Sequence, residues 1–159
     1  MKRETIFLKV VIVLLGLFIL GLCVFFLPWL ISDIRQHADP LGKYLYPIIV
    51  AMYTAAIPFF YALFQALKLL TFIDKGNAFT RSSVQAIKVI KLCAIVISLI
   101  YLAVMPFFFL FGDKDDSPGF ILIGAVFVGA SFVVAVFAAV LQKLLTNAID
   151  IKSENDLTV

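Results

Sequence analysis

Residues 120–141 read FILIGAVFVGASFVVAVFAAVL, an unbroken run without a single charge. At about 1.5 Å per residue a helix of that length covers roughly 33 Å, enough to cross a hydrocarbon core of about 30 Å. Inside lipid every backbone N–H and C=O must find a partner within the protein, and a helix does this alone. The run is therefore read as a transmembrane helix, and it has companions. Residues 10–31 and 92–112 are also uncharged, and 44–72 carries only Lys68, close to its end.

The whole chain agrees with that reading. Of 159 residues, 64% are hydrophobic and 14% charged, whereas soluble domains are near half apolar and a quarter charged. Mean hydropathy is +1.12. A soluble domain of this length hides only about 70% of the surface its unfolded chain exposes, so lipid must solvate the rest. A formal net charge of +3 argues against direct nucleic-acid binding.

The first span follows Met1-Lys2-Arg3 but is too long for a signal peptide and lacks a small-residue cleavage site. Leu20-Gly21-Leu22-Cys23 resembles a lipoprotein cleavage box, yet Leu22 is bulky where such boxes need a small residue. The segment is read as permanent. Pro40 and Gly42 mark a polar connection from Ser32 to Lys43, flanked by Trp29, Tyr44 and Tyr46, whose amphipathic rings favour the headgroup level. Lys75-Gly76-Asn77 is a helix-stop signal. Thr80 or Ser82 can start the next helix, and Ser82 to Gln85 fits a capping box. Pro28, Pro58 and Pro106 are candidate bends. Beyond Leu141, the residues Leu144, Leu145, Ala148 and Ile149 keep helical spacing, so the last helix is expected to outrun the bilayer before a polar tail from Lys152 to Val159.

Lys2, Arg3, Lys9, Lys68, Lys75, Arg81, Lys88, Lys91, Lys143 and Lys152 fall on one side of this topology, and only Arg35, Lys43 and Lys114 on the other. The positive-inside rule then places both termini in the cytoplasm. The expected fold is all-α: one integral membrane domain over 1–159, a bundle of four transmembrane helices at 10–31, 44–72, 92–112 and 120–141, with helices two to four extending past the inner face. Residues 73–91 form a cytoplasmic loop and 142–159 a cytoplasmic tail. A cell-membrane location follows.

Candidate chemistry is sparse. His37 with Asp33 and Asp39 offers one imidazole and two loop carboxylates, a poor metal set and more simply a solvated loop. Asp115 and Asp116 are adjacent in a Pro/Gly-flanked turn and read as a topology determinant rather than an acid–base pair. No glycine-rich phosphate loop, HExxH or nucleophile elbow occurs. No catalytic, cofactor-binding or metal residues are assigned, so the chain reads as a non-enzyme without a cofactor. Cys23 and Cys93 lie at different depths and are read as free, packed thiols. Mid-membrane ionisable residues, which mark transport paths, are missing, and Lys68 can snorkel from beside Gln65. Tyr53, Tyr61, Ser98, Tyr101 and Ser131 are read as helix-to-helix hydrogen bonders. Small residues at four-residue spacing, Ser131, Ala135 and Ala139, with Ala125 and Gly129 on a neighbouring stripe, are expected to pack closely, within the bundle or in a homo-oligomer.

Two inner segments remain. Asp74, Lys75, Gly76, Asn77, Phe79, Arg81 and Lys88 in the loop, and Glu154, Asn155, Asp156 and Leu157 in the tail, read either as topology signals and a solvated end or as a docking surface for a cytoplasmic partner. Phe72-Ile73-Asp74-Lys75-Gly76-Asn77-Ala78-Phe79-Thr80, then Ser83-Val84 and Ile87-Lys88, with the closing ENDLTV, resemble the YoaS-like bacterial membrane proteins of unknown function over essentially the whole chain. Members of that family are often encoded beside a small helix-turn-helix regulator of the Cro/C1 type, so the resemblance implies a cytoplasmic DNA-binding regulator as partner. Three functions compete: regulation of such a partner, immunity or envelope-stress protection against a membrane-active peptide met at the Trp29, Tyr44 and Tyr46 rim, and a small oligomeric transporter. Membrane lipid is a partner in all three.

Overall fold

The computed structural model describes residues 2–37, 40–114, 116 and 118–157, without the side chains of Lys2, His37, Pro40 and Leu41. The metal reading at His37 and Asp39 and the pairing at Asp115 thus lie outside the described residues. All described elements are helical: α1 (Lys2–Gly21), a π-helical turn (Leu22–Phe26), α2 (Leu27–His37), a 3-10 turn (Pro40–Tyr44), α3 (Leu45–Asp74), α4 (Arg81–Lys114) and α5 (Pro118–Leu157). Four helical runs are long and apolar enough to cross a membrane: Arg3–Gln36, Gly42–Asp74, Arg81–Lys114 and Pro118–Leu157.

Cross-links between elements fix which ends meet. Lys9 Nζ lies 3.1 Å from Asp74 Oδ2, and Lys91 Nζ donates to Gln142 Oε1 at 2.8 Å. The start of the first span, the α3–α4 connection and the last part of α5 therefore share one end, called here the basic end. At the opposite end the Lys114 ammonium contacts the Tyr44 hydroxyl.

The α4–α5 hairpin is the tightest part. On α4 the inward positions Ile87, Lys91, Ala94, Ser98, Tyr101, Met105, Phe108 and Gly112 recur at alternating steps of four and three residues, and each is buried or half-buried. On α5 the same alternation runs through Gly124, Val128, Ser131, Ala135, Ala138, Gln142, Leu145 and Ile149. A seven-residue repeat drifts by only about 20° per repeat and so keeps one seam on its partner. A strict four-residue stripe turns away by about 40° each step. The expected small-residue stripe accordingly divides: Ala135 is buried and Ser131 and Ala139 half-buried, while Ala125 and Gly129 are exposed. Nothing outside its own helix lies within 4 Å of a Cβ built on Gly129. The close glycine contact is at Gly124, where a Cβ would meet Phe108 Cγ at 2.8 Å and Met105 Sδ at 3.1 Å. Ser98 Oγ donates to the Val128 carbonyl at 3.3 Å, and Tyr101 stacks on Phe127 with centroids 5.3 Å apart.

The first span is attached differently. In its most apolar window only 6% of residues are buried. Its second half is fixed by Leu27 and Ile34 packing on Ile49, its first half by the Lys9–Asp74 pair. The polar segment expected from Ser32 is helical through His37, and Gly42 lets the following turn approach so closely that a Cβ there would meet Ile34 Cγ2 at 2.5 Å.

Pro28 explains the π turn. The Leu27 N–H bonds to the Leu22 carbonyl, five residues back, so it is not given to Cys23. The next N–H that could reach Cys23 belongs to residue 28, and proline has none. The Cys23 carbonyl is instead satisfied by the Tyr53 hydroxyl of α3 at 2.8 Å.

Candidate functional site

At the basic end, α3 stops on a tight cap. The Gly76 N–H bonds to Ile73 O at 3.1 Å and the Asn77 N–H to Phe72 O at 2.8 Å, with Gly76 at φ +75°, a left-handed conformation that glycine takes without strain. The chain then starts α4 with Thr80 as the cap: Thr80 Oγ1 accepts from the Ser83 N–H at 3.4 Å. Both hydroxyls, Thr80 Oγ1 at 2.8 Å and Ser83 Oγ at 3.0 Å, donate to the Asn77 carbonyl. Ser83 is fully buried as a result. The box is thus Thr80 with Ser83, two residues before the Ser82 and Gln85 box expected from sequence.

Of the loop residues singled out above, Asp74 is half-buried against Lys9, whereas Lys75, Gly76, Asn77, Phe79, Arg81 and Lys88 are exposed. Glu154, Asn155, Asp156 and Leu157 are exposed as well, but on helix: the segment read as a polar tail continues α5 to Leu157. A groove of about 360 Å³ joins the two regions, lined by Arg81 and Lys88 on one side and Gln142, Thr146 and Asp150 on the other. The four tail residues lie further along α5 than that lining, so the structure brings the loop to the helix extension and not to the tail itself.

With 40 residues, α5 is about 60 Å long, twice the hydrocarbon thickness. Its projecting part carries a second apolar line outside the α4 seam, with Leu144 59% and Ile151 66% exposed and Ala148 half-buried between them.

Within the membrane a cavity of about 380 Å³ opens between the first span and the other three, lined by Phe18, Cys23, Met52, Phe59, Tyr101 and Ser131 among others. Its lining is almost wholly apolar, and both Cys23 and Cys93 are free thiols. Among the described residues no three His, Cys, Asp or Glu side chains converge as metal ligands. Tyr53 is a helix-to-helix hydrogen bonder, as its sequence position suggested; what sequence reasoning missed is the cavity and the Cys23 carbonyl as the acceptor, for which Gly21 and Pro28, bracketing Cys23, were the available signal.

Four apolar helical runs, cross-linked in two pairs at a basic end, define a multi-pass α-helical membrane protein. Residues 29–159 match the family described as "Protein of unknown function (DUF2975)", and the chain belongs to that family. It is 52% identical over 158 residues to "Uncharacterized membrane protein YoaS" of Bacillus subtilis (strain 168), covering 99% of both chains. No solved structure matches.

Proposed function

We propose that the chain is a non-enzymatic regulatory protein of the bacterial cell membrane that holds or releases a cytoplasmic protein at its basic end. The distribution of Lys and Arg assigns that end to the cytoplasm. The observation that carries the reading is the apolar line Leu144, Ala148 and Ile151 on α5 after the uncharged run 120–141, with Leu144 and Ile151 exposed. An apolar stripe held in water is costly until a partner groove covers it, and seven-residue spacing is how a helix presents such anchors. The locked turn adds exposed Phe79 at the same end. A small helix-turn-helix regulator, as the family resemblance implies, is the partner class this surface would take. The central cavity, being apolar, does not supply the polar path that transport of a water-soluble solute requires.

A photo-crosslinking residue at Ile151, in cells expressing the full chain, should capture a cytoplasmic protein that the same residue at Val133 does not, and Leu144→Ser should abolish the capture. Equal products from Ile151 and Val133 would overturn the reading. Orientation is tested separately, in a chain with Cys23 and Cys93 replaced. A cysteine at Asp116 should react with an impermeant thiol reagent in intact cells and one at Asn77 only after lysis.

A further inference from the structure

A second groove, of about 530 Å³, lies between α3 and α4 at the basic end, and half of its lining is polar: Tyr61, Gln65 and Lys68 from α3 face Arg81, Ser82 and Gln85 from α4. We infer that it binds the headgroup of an anionic glycerophospholipid from the adjoining leaflet.

Three observations carry this. First, Gln65 is 7% exposed, lines the groove, and its carboxamide makes no hydrogen bond among the described residues. A carboxamide so placed offers donors and an acceptor to a polar ligand in the groove. Second, the two cations of the lining lack carboxylate partners among the described residues: Lys68 is seen only over the Phe72 ring, 5.9 Å from its centroid, and Arg81 is exposed. No Asp or Glu lines the groove. Third, Arg81 opens α4, so the positive end of the helix dipole lies at the same place.

Depth distinguishes a lipid from free phosphate. Lys68 sits inside the span Gly42–Asp74, about 9 Å from its end by helical rise, and the groove floor includes Ala86 and Val89 as well as the Phe72 ring. A phosphodiester bridging Lys68 and Arg81 would have an apolar wall for its acyl chain, which inorganic phosphate cannot use. Basic pockets between transmembrane helices take acidic headgroups by this chemistry.

The test uses the purified full chain in a neutral detergent, titrated with phosphatidylglycerol, phosphatidylcholine or inorganic phosphate, with melting temperature and lipid retention in native mass spectrometry as readouts. Phosphatidylglycerol should raise the melting temperature and stay bound. The other two should do neither. The double variant Lys68→Gln with Arg81→Gln should bind phosphatidylglycerol about thirtyfold more weakly, while Lys152→Gln, removing a cation outside the groove, should bind as the wild type does. Gln65→Leu, close to isosteric, should weaken binding without lowering the lipid-free melting temperature, and it carries the test if the double variant does not fold. Equal effects of phosphatidylcholine or of phosphate, or full retention by Gln65→Leu, would overturn the inference.

Discussion

The first span is more apolar in sequence than either helix of the α4–α5 hairpin, yet it is the less closely held of the two regions. The hairpin is joined along its whole length by a seven-residue seam of small and aromatic side chains, closed at one end by the Lys91–Gln142 hydrogen bond. The first span touches its neighbours at separated points, at Leu27 and Ile34, at the Tyr53 hydroxyl and at the Lys9–Asp74 pair, with the cavity between them. Apolarity therefore does not join helices in lipid. Shape and a few polar contacts do, because lipid tails solvate leucine as well as another helix does.

That contrast can be broken most severely at Gly124. Gly124→Leu drives a side chain into Phe108, and should cost about 3 kcal/mol or shift the hairpin, read as a lower melting temperature in detergent. Tyr53→Phe removes the hydroxyl that donates to the Cys23 carbonyl and should cost about 1 kcal/mol. Its sharper signature is faster hydrogen exchange confined to the first span. Lys9→Met should cost less, under about 1 kcal/mol, because Lys9 is 32% exposed. The effect should shrink in high salt, whereas that of Tyr53→Phe should not. Gly129→Leu should be near neutral in a monomer, its Cβ direction being open. A loss comparable to that at Gly124 would show that this face is covered by a second copy.

The four spans and the stop at Gly76 were legible in the sequence because charge and glycine are scarce in this chain and each occurrence carries information. The phase of each span was not. In a run such as FVVAVFAAV every face is apolar, so periodicity gives no direction, and spacing alone did not single out Gly124, where the close contact within one chain falls. The helix through Ser153–Leu157 was hidden by its polarity, which reads equally well as solvated chain. At the basic end the exposed loop residues and Thr80 as a helix cap were legible, but the burial of Gln65 and the part of Ser83 in the clasp were not, since these depend on what the fold places opposite them.

Because α5 is one unbroken rod from Pro118 to Leu157, its far end behaves as the pointer of a gauge whose pivot is the bilayer. Residues 142–157 add about 24 Å of helix to the uncharged run 120–141, so each 10° of tilt about residue 141 sweeps the tip by about 4 Å. Spans longer than the hydrocarbon answer thinning by tilting. A thinner bilayer is therefore expected to displace Ile151 and Leu157, and spin-label distances between residue 151 and residue 77 in vesicles of short and long acyl chains would record the shift.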